Sequence, residues 1–289
     1  MKENKEIKAL LHLIDDPDED VYSTVSEKIF SFGKAIIPNL ETLWENSHNE
    51  ELQERIEQLI HRLHFRDLTT DFTEWKTNNG PLLDGALLVA KYNYPDMLPE
   101  NARQDIEKIR RNIWLELNNY LTPLEQINII NSIFFNYYKQ KGVEISYDNP
   151  DYFLINKALE TKKGNAISNG IIYLILCHLL DIPVKAINIP RQFILAYFDW
   201  QFEALNPAAH SSDKIKFYID ALTGQMYSHK DIENYFKRLS VPPVASYFKP
   251  KNNLQVIKFL LEEFSKCFDN DNNQYKMNEL LSLANILSE

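Results

Sequence analysis

The chain has 289 residues, of which 44% are hydrophobic and 12% aromatic, and it carries a formal net charge of −10 at pH 7. This length and composition allow one large domain or two smaller ones with a sizeable core, and the low glycine count of 7 argues against a β-barrel rich in tight turns. The negative charge argues against broad binding of nucleic acid or of an anionic membrane, because phosphate contacts need a positive surface.

The sequence also predicts where the protein resides. No apolar stretch reaches the roughly 18 residues that a membrane-spanning helix needs, and the charged start from Met1 to Lys8 lacks the apolar core of a signal peptide. The two cysteines, Cys177 and Cys267, lie far apart in helical patterns, which does not suit a disulfide framework. We therefore expect a cytoplasmic protein in a reducing compartment, with neither membrane nor nucleic acid as a partner.

Residues 1–66 are predicted to form a region of short helices, because apolar residues recur at helical spacing in four successive segments. The run from Asp18 to Leu40 resembles a HEAT unit, in which an acidic turn precedes one helix and then Gly33 and Pro38 lead into a second. Helix pairs of this kind bury their faces by stacking on neighbours. A plain helical bundle explains the same pattern, so both arrangements stay open.

The helical pattern continues through residue 140. Apolar spacing predicts a short helix over 84–92 and a long amphipathic helix over 100–117. Thr122 and Pro123 predict the start of another helix, since threonine caps a helix N-terminus and proline fits its first position.

After Asn149 and Pro150 the pattern changes. Residues 167–180 are apolar on all sides, which is typical of a buried helix. Short β-branched or aromatic runs then predict strands, which cover 184–189, 192–198 and 217–219, with 202–205 as a further candidate. Helices over 254–268 and 277–287 close the chain. One helix followed by sequential strands predicts an α+β core, with regions at 1–66, 67–250 and 251–289.

The segment from Lys163 to Asp220 has the order of parts of a thiol acyl-transfer site. Such a site needs a nucleophile at the N-terminus of a buried helix, a histidine base on a nearby strand, and an Asp or Asn that orients the histidine. Here the helix opens at Gly164 to Ser168, Gln192 begins the first long strand, and Asp220 ends a later one. The positions are present, but neither cysteine nor histidine occupies them.

The runs around these positions resemble the transglutaminase-like superfamily, and within it the bacterial SirB branch. They are Trp114-Leu-Glu-Leu-Asn, Leu121-Thr-Pro-Leu-Glu, Asn149-Pro, Lys163-Gly-Asn-Ala-Ile-Ser168, Asp181-Ile-Pro-Val, Asn188-Ile-Pro-Arg-Gln-Phe and Tyr218-Ile-Asp220. Each run alone is unspecific, and their order and spacing carry the resemblance over somewhat more than a third of the chain. The resemblance implies a helical N-terminal half, a papain-like core of a buried helix against a small antiparallel sheet, and C-terminal helices.

The resemblance also assigns a degenerate triad. Active members of the superfamily carry a cysteine at the helix start, and Ser168 stands at or near that position, as serine does in the SirB branch. That branch usually has Pro-Gly-His-Phe on the strand, whereas this chain has Pro190-Arg-Gln-Phe193. Gln192 cannot take a proton at neutral pH, and a serine nucleophile needs a base. Asp220 is retained, although Ala221 replaces the usual proline. Structural roles explain the same two residues: Ser168 as a residue of the helix N-terminus, and Asp220 as the end of a strand before a turn at Thr223 and Gly224.

Three functional hypotheses follow. In the first, the protein is a catalytically inactive protein- or peptide-interaction module, with a regulatory role left open, and Gln192 bonds to Ser168 and Asp220 to hold the framework. In the second, it is a hydrolase of the amidase or peptidase type that pairs Ser168 with His210 as a non-standard base. In the third, it binds a small ligand. The stacking surfaces would then be Tyr197, Trp200 and Tyr218.

We expect neither a cofactor nor a metal. The sequence has no phosphate loop, dinucleotide fingerprint or zinc pattern. His61 and His64 stand three apart on a helix, but no carboxylate or cysteine completes a metal site. Cys177 lies among apolar neighbours and is predicted to be an inert core residue. The sequence does not determine the oligomeric state.

Overall fold

A computed structural model describes residues 2–205, 208–270 and 273–288. The chain divides into two compact units, Met1–Asp71 and Phe72–Glu289. The helices after residue 251, which the sequence analysis set apart as a region, lie within the second unit. Among the described residues, none of the helices combines the length and the hydrophobicity that crossing a membrane requires.

The first unit is helical. It contains α1 (Lys2–His12), α2 (Glu19–Ser31), α3 (Ile37–Asn46) and the first part of α4 (Glu50–Thr77). Asp18 caps α2 by accepting a hydrogen bond from the Asp20 amide, and Gly33 turns the chain toward α3 with a φ of +68°. Aliphatic side chains from these elements form a common core around Ile29 and Ile56, which are fully buried. The predicted helical region is confirmed, and the likeness to a HEAT unit stays a prediction.

The second unit combines helices with a small sheet. Its helices are α5 (Leu82–Asn93), α6 (Pro99–Glu116), α7 (Pro123–Asn131), α8 (Ile155–Thr161), α9 (Ala166–Leu179), α10 (Trp200–Leu205), α11 (His229–Leu239), α12 (Asn253–Ser265) and α13 (Gln274–Ile286). Thr122 and Glu125 form a complete capping box at the start of α7, as the sequence predicts for Thr122. A π-helical turn, Ser132–Tyr137, continues α7.

The candidate strand over 202–205 is wrong, because these residues belong to α10. The Asp199 carboxylate accepts hydrogen bonds from the amides of Gln201 and Phe202, each at 3.1 Å. An aspartate that satisfies free amides in this way starts a helix, and the alternating apolar pattern of the segment does not reveal this cap.

The strands form two sheets. β1 (Lys141–Gly142) and β2 (Lys163–Gly164) make a short parallel pair, and β3 (Val184–Ile189), β4 (Gln192–Phe198), β5 (Ile215–Ile219) and β6 (Met226–Tyr227) make an antiparallel meander in chain order. At the outer edge of β3, the Lys251 amide donates a hydrogen bond to the Ala186 carbonyl. The expected core, a buried helix against a small antiparallel sheet, is therefore confirmed.

The two faces of the main sheet are covered differently. Against one face lies α9, where a Cβ on Gly170 would come within 2.7 Å of the Phe193 ring and 3.2 Å of the Ala221 side chain. Against the other face lies α11, whose Ile232 and Phe236 join a buried cluster with Ile189 and its neighbours. Because side chains alternate along a strand, Phe193 and Gln192 point to different faces.

Candidate active site at the start of the buried helix

The amides at the start of α9 are already bonded. The Asn165 carboxamide oxygen accepts hydrogen bonds from the amides of Ile167 at 2.9 Å and Ser168 at 3.1 Å. These are the groups that would hold an oxyanion in an acyl-transfer site. Asn165 is therefore a fully buried cap of this helix.

Ser168 is buried and bonded to the backbone. Its side chain has no solvent exposure, and its Oγ donates a hydrogen bond of 2.6 Å to the Tyr152 carbonyl. Gly164 approaches closely, since a Cβ there would lie 2.6 Å from Oγ. A hydroxyl in this setting satisfies a buried carbonyl.

Ala166 is the residue of this segment that reaches the surface. All the remaining residues from Gly164 to Cys177 are buried. The position on the first turn of α9 that faces outward therefore presents a methyl group, which supplies neither a nucleophile nor a proton.

Gln192 lies on the far face of the sheet. It pairs with Ile189 in the register of β3 and β4, and Ile189 belongs to the cluster under α11. Residues that are directly opposite in an antiparallel pair share a face, so Gln192 points away from α9. The expected hydrogen bonds from Gln192 to Ser168 and Asp220 do not form, and this expectation is wrong.

Asp220 shapes its own turn between β5 and β6. Its carboxylate accepts hydrogen bonds from the Leu222 amide at 3.0 Å and the Thr223 hydroxyl at 2.8 Å. The Gly224 amide donates to the Asp220 carbonyl, which closes the turn, and Gly224 adopts a φ of +75°. These contacts are typical of an aspartate that initiates a turn.

His210 lies toward the opposite end of the sheet from the start of α9. It is exposed and precedes a short turn that leads into β5 at Ile215, which pairs with Phe198 at the end of β4. The start of α9 lies toward the other end, where Phe193 and Ala221 contact Gly170. At roughly 3.4 Å per residue, β5 separates these ends by about 17 Å. The pairing of His210 with Ser168 is therefore not assembled.

Two of the three aromatic residues proposed as stacking surfaces, Tyr197 and Tyr218, are core residues. Tyr197 is 6% exposed, stacks on Phe217 and donates a hydrogen bond of 3.0 Å to Gln126. Tyr218 is 1% exposed and shares a hydrogen bond of 3.3 Å with His229. Burial raises the pKa of both tyrosines. The side chain of Trp200 lies outside the described residues.

Comparison with known proteins assigns the family. Residues 100–262, more than half of the chain, match the family model described as the transglutaminase-like superfamily. The chain belongs to this family. It is 24% identical to Protein SirB1 of Salmonella typhimurium over 193 residues, which are 65% of this chain and 67% of that protein.

Two further relatives of this transglutaminase-like chain are UPF0162 proteins. YchA of Escherichia coli is 20% identical over 202 residues, covering 69% of this chain and 71% of that protein. A protein of Buchnera aphidicola is 24% identical over 169 residues, covering 57% of each. No solved structure matches. The resemblance to the SirB branch is confirmed.

A buried network of amide side chains beside Ser168 was not predicted from the sequence. Gln140 Nε2 donates hydrogen bonds to the Asn169 Oδ1 at 2.9 Å and to the Ala158 carbonyl at 3.1 Å, and Asn169 Nδ2 donates to the carbonyls of Lys141 and Gly164 at 3.2 Å. The network ties β1 and β2 of the transglutaminase-like core to α9. Its signal in the sequence is polar asparagine at the start of an otherwise apolar helix.

A metal centre in the described part of this transglutaminase-like chain would need a group of His, Cys, Asp or Glu side chains. Across the described ranges, His, Cys, Asp and Glu side chains form no group of three or more that is placed to hold an ion.

We expect both thiols of the folded protein to be unreactive. Burial raises the pKa of the Cys177 thiol, and burial together with the charge of Asp148 raises the pKa of Cys267 to about 12. At pH 8, such a pKa leaves about one Cys267 thiol in 10,000 as the thiolate, against about one in four for a free cysteine. Ellman's reagent should react slowly without urea and rapidly with both thiols in urea. The Cys267→Ser variant isolates Cys177, and a fast burst from either thiol in the folded protein would contradict the prediction.

Proposed function

We propose that this transglutaminase-like protein is a non-catalytic module that binds a protein or a peptide. The observation that carries the proposal is the start of α9, where Asn165 occupies the amides, Ser168 is buried, and the outward position is Ala166. Acyl transfer needs an accessible nucleophile beside free hydrogen-bond donors. This segment offers neither.

The surface at the end of α6 supports a protein or peptide partner. Large apolar side chains are exposed there: Trp114 and Leu115 in the last turn of α6 are 60% and 66% exposed, and Tyr120 in the connection to α7 is 96% exposed. Exposed aromatic and aliphatic groups that lie close together in the chain are typical of protein contact surfaces.

A cytoplasmic location and the absence of a nucleic-acid partner belong to the same proposal. The free thiols of Cys177 and Cys267 suit a reducing compartment. The net charge of −10 disfavours phosphate backbones as ligands.

Labelling with a fluorophosphonate probe tests the lack of a serine nucleophile. We expect the folded protein and the Ser168→Ala variant to give the same background signal, because Ser168 Oγ is buried and has no base. Ser265→Ala is the matched control, since Ser265 is also buried and also donates to a backbone carbonyl, that of Glu262 at 2.8 Å. Stoichiometric labelling that disappears in Ser168→Ala but not in Ser265→Ala would overturn the proposal.

A further inference from the structure

The face of the sheet that carries Gln192 contains an open cavity of about 520 Å³. Its walls come from the first residue of β4, from β6 and from α11. The polar side chains on these walls are Gln192, Gln225, Tyr227, Asp231, Asn234, Tyr235 and Arg238. This volume lies within the range of about 300–1,000 Å³ that is usual for pockets holding small ligands.

Arg238 lines this cavity beside Tyr235, and Arg191 directly precedes Gln192, the lining residue at the start of β4. The Tyr235 hydroxyl donates a hydrogen bond of 2.7 Å to the Pro190 carbonyl, which fixes the tyrosine beside the turn that carries Arg191. Burial raises the pKa of Tyr235, and the charges of Arg191 and Arg238 both oppose that rise. Neither guanidinium has an ion pair or hydrogen bond within the part of the chain that the structure describes.

Arg191 holds an unfavourable backbone conformation. It follows Pro190 in the two-residue turn between β3 and β4 and has a φ of +64°. Proline followed by a residue with positive φ is the pattern of a type II turn, which favours glycine at the second position. A bulky residue held in such a conformation next to a cavity-lining residue points to a role for its side chain.

Amide side chains complete the walls. The carboxamides of Gln192, Gln225 and Asn234 have no hydrogen-bond partner among the described residues. A carboxamide donates and accepts hydrogen bonds, as a peptide bond does. Asp231 is the acidic residue of the cavity, and its carboxylate accepts hydrogen bonds of 2.8 and 2.7 Å from the amide and hydroxyl of Ser228.

We propose that this cavity binds the C-terminal end of a peptide, with Arg191 and Arg238 pairing with the terminal carboxylate and the three carboxamides contacting the adjoining peptide bonds. Arginine matches a carboxylate because its planar guanidinium donates parallel hydrogen bonds. The inference deepens the proposed function and rests on it, since it names the class of partner that the module takes.

Titrations followed by amide NMR spectra test the assignment. The probes are acetyl-glycyl-leucine as the free acid, the same dipeptide as its C-terminal amide, and inorganic phosphate. We expect the free acid to shift the signals of Gln192, Asn234 and Tyr235 at millimolar concentrations. We expect the amide to bind at least about tenfold more weakly, because it lacks the charge that the arginines pair with.

Single variants distinguish the effect of each arginine on binding from its effect on the stability of the fold. Arg238→Gln should weaken binding of the free acid by about tenfold. Arg191→Gly should weaken it similarly and at the same time raise the denaturation midpoint, since glycine relieves the positive φ. Arg111→Gln, at an exposed position on α6, is the control and should change neither.

Several outcomes would overturn the inference. These are the absence of binding by the free acid, equal binding of acid and amide, tighter binding of phosphate than of the acid, or unchanged affinity in both Arg191→Gly and Arg238→Gln. None of them concerns Ser168, so a failure here is distinguishable from a failure of the proposed lack of catalysis, which the fluorophosphonate probe reports.

Discussion

Asn169→Ala is expected to lower the free energy of unfolding by about 3 kcal/mol, because it leaves several buried polar groups without partners. The Asn169 carboxamide accepts from Gln140 and donates to the carbonyls of Lys141 and Gly164. Asn169 has no solvent exposure, so water does not replace these bonds unless the core opens. Equilibrium unfolding in urea, followed by circular dichroism, measures the loss.

Asn156→Ala is the matched control for Asn169→Ala. Asn156 lies on the neighbouring α8, and its buried Oδ1 has no hydrogen-bond partner. The same change there should cost about 1 kcal/mol or less, since no acceptor bond is lost. In a double-mutant cycle, Gln140→Ala should cost much less in the Asn169→Ala background. Additive effects, or equal losses at 156 and 169, would refute the network as the source of stability.

Gly224→Ala is expected to lower the free energy of unfolding by about 3 kcal/mol, because it combines backbone strain with a steric clash. Gly224 has a φ of +75°, and a Cβ there would lie 2.7 Å from the Asn131 carboxamide and 2.8 Å from the Phe135 ring. Asn131 donates to the Gly224 carbonyl at 2.7 Å and accepts from the Tyr173 hydroxyl at 3.0 Å. Moving Asn131 would therefore disturb the contact between the Asp220 turn and α9.

Gly33→Ala separates the two contributions. Gly33 has a similar φ of +68°, but the nearest atom to its added Cβ is the guanidinium end of Arg66 at 3.0 Å, which is flexible. In this variant the free energy of unfolding should fall only by the cost of backbone strain, about 1 kcal/mol. Urea unfolding of both variants gives the comparison, and equal losses would show that the contact with Asn131 adds nothing.

The elements with strong local signals were predictable. The apolar run over 167–180 predicts a buried helix, which the structure has as α9 at Ala166–Leu179, and the β-branched run over 184–189 forms β3 within the same bounds. The start of α9 also had a recognisable signal, since Asn165 precedes the apolar run and asparagine is a preferred cap. The structural role expected at this helix start was given to Ser168 as a residue of the helix N-terminus, whereas Asn165 is the residue that caps the helix.

The relation between the site positions was not predictable in the same way. The order of Ser168, Gln192 and Asp220 along the chain agrees with the family pattern, but order does not determine the face of a sheet. A shift of one residue moves a side chain from one face to the other, and Gln192 is adjacent to Phe193, which contacts α9. The register of β3 with β4 determines which face of the sheet Gln192 occupies, and only the structure provides this register.

Contacts between short segments that lie far apart in the chain were also not predictable from the sequence. β1 and β2 are each a Lys-Gly dipeptide, and they pair in parallel at Gly142 and Gly164. Two residues are too short for any periodicity. The attachment of this strand pair to α9 depends on the amide side chains of Gln140 and Asn169. Because these residues lie far apart in the chain, the sequence does not predict their contact.

The edges of the main sheet affect how the protein behaves at high concentration. An open strand edge offers unpaired amides and carbonyls to other chains and promotes aggregation and domain swapping. At one edge, the Lys251 amide already occupies the Ala186 carbonyl, and Lys185 places an exposed charge on the same strand. At the other edge, β6 has only two residues. The bonded and charged edge at β3 therefore disfavours strand addition, and a very short edge strand such as β6 gives an added strand little to pair with.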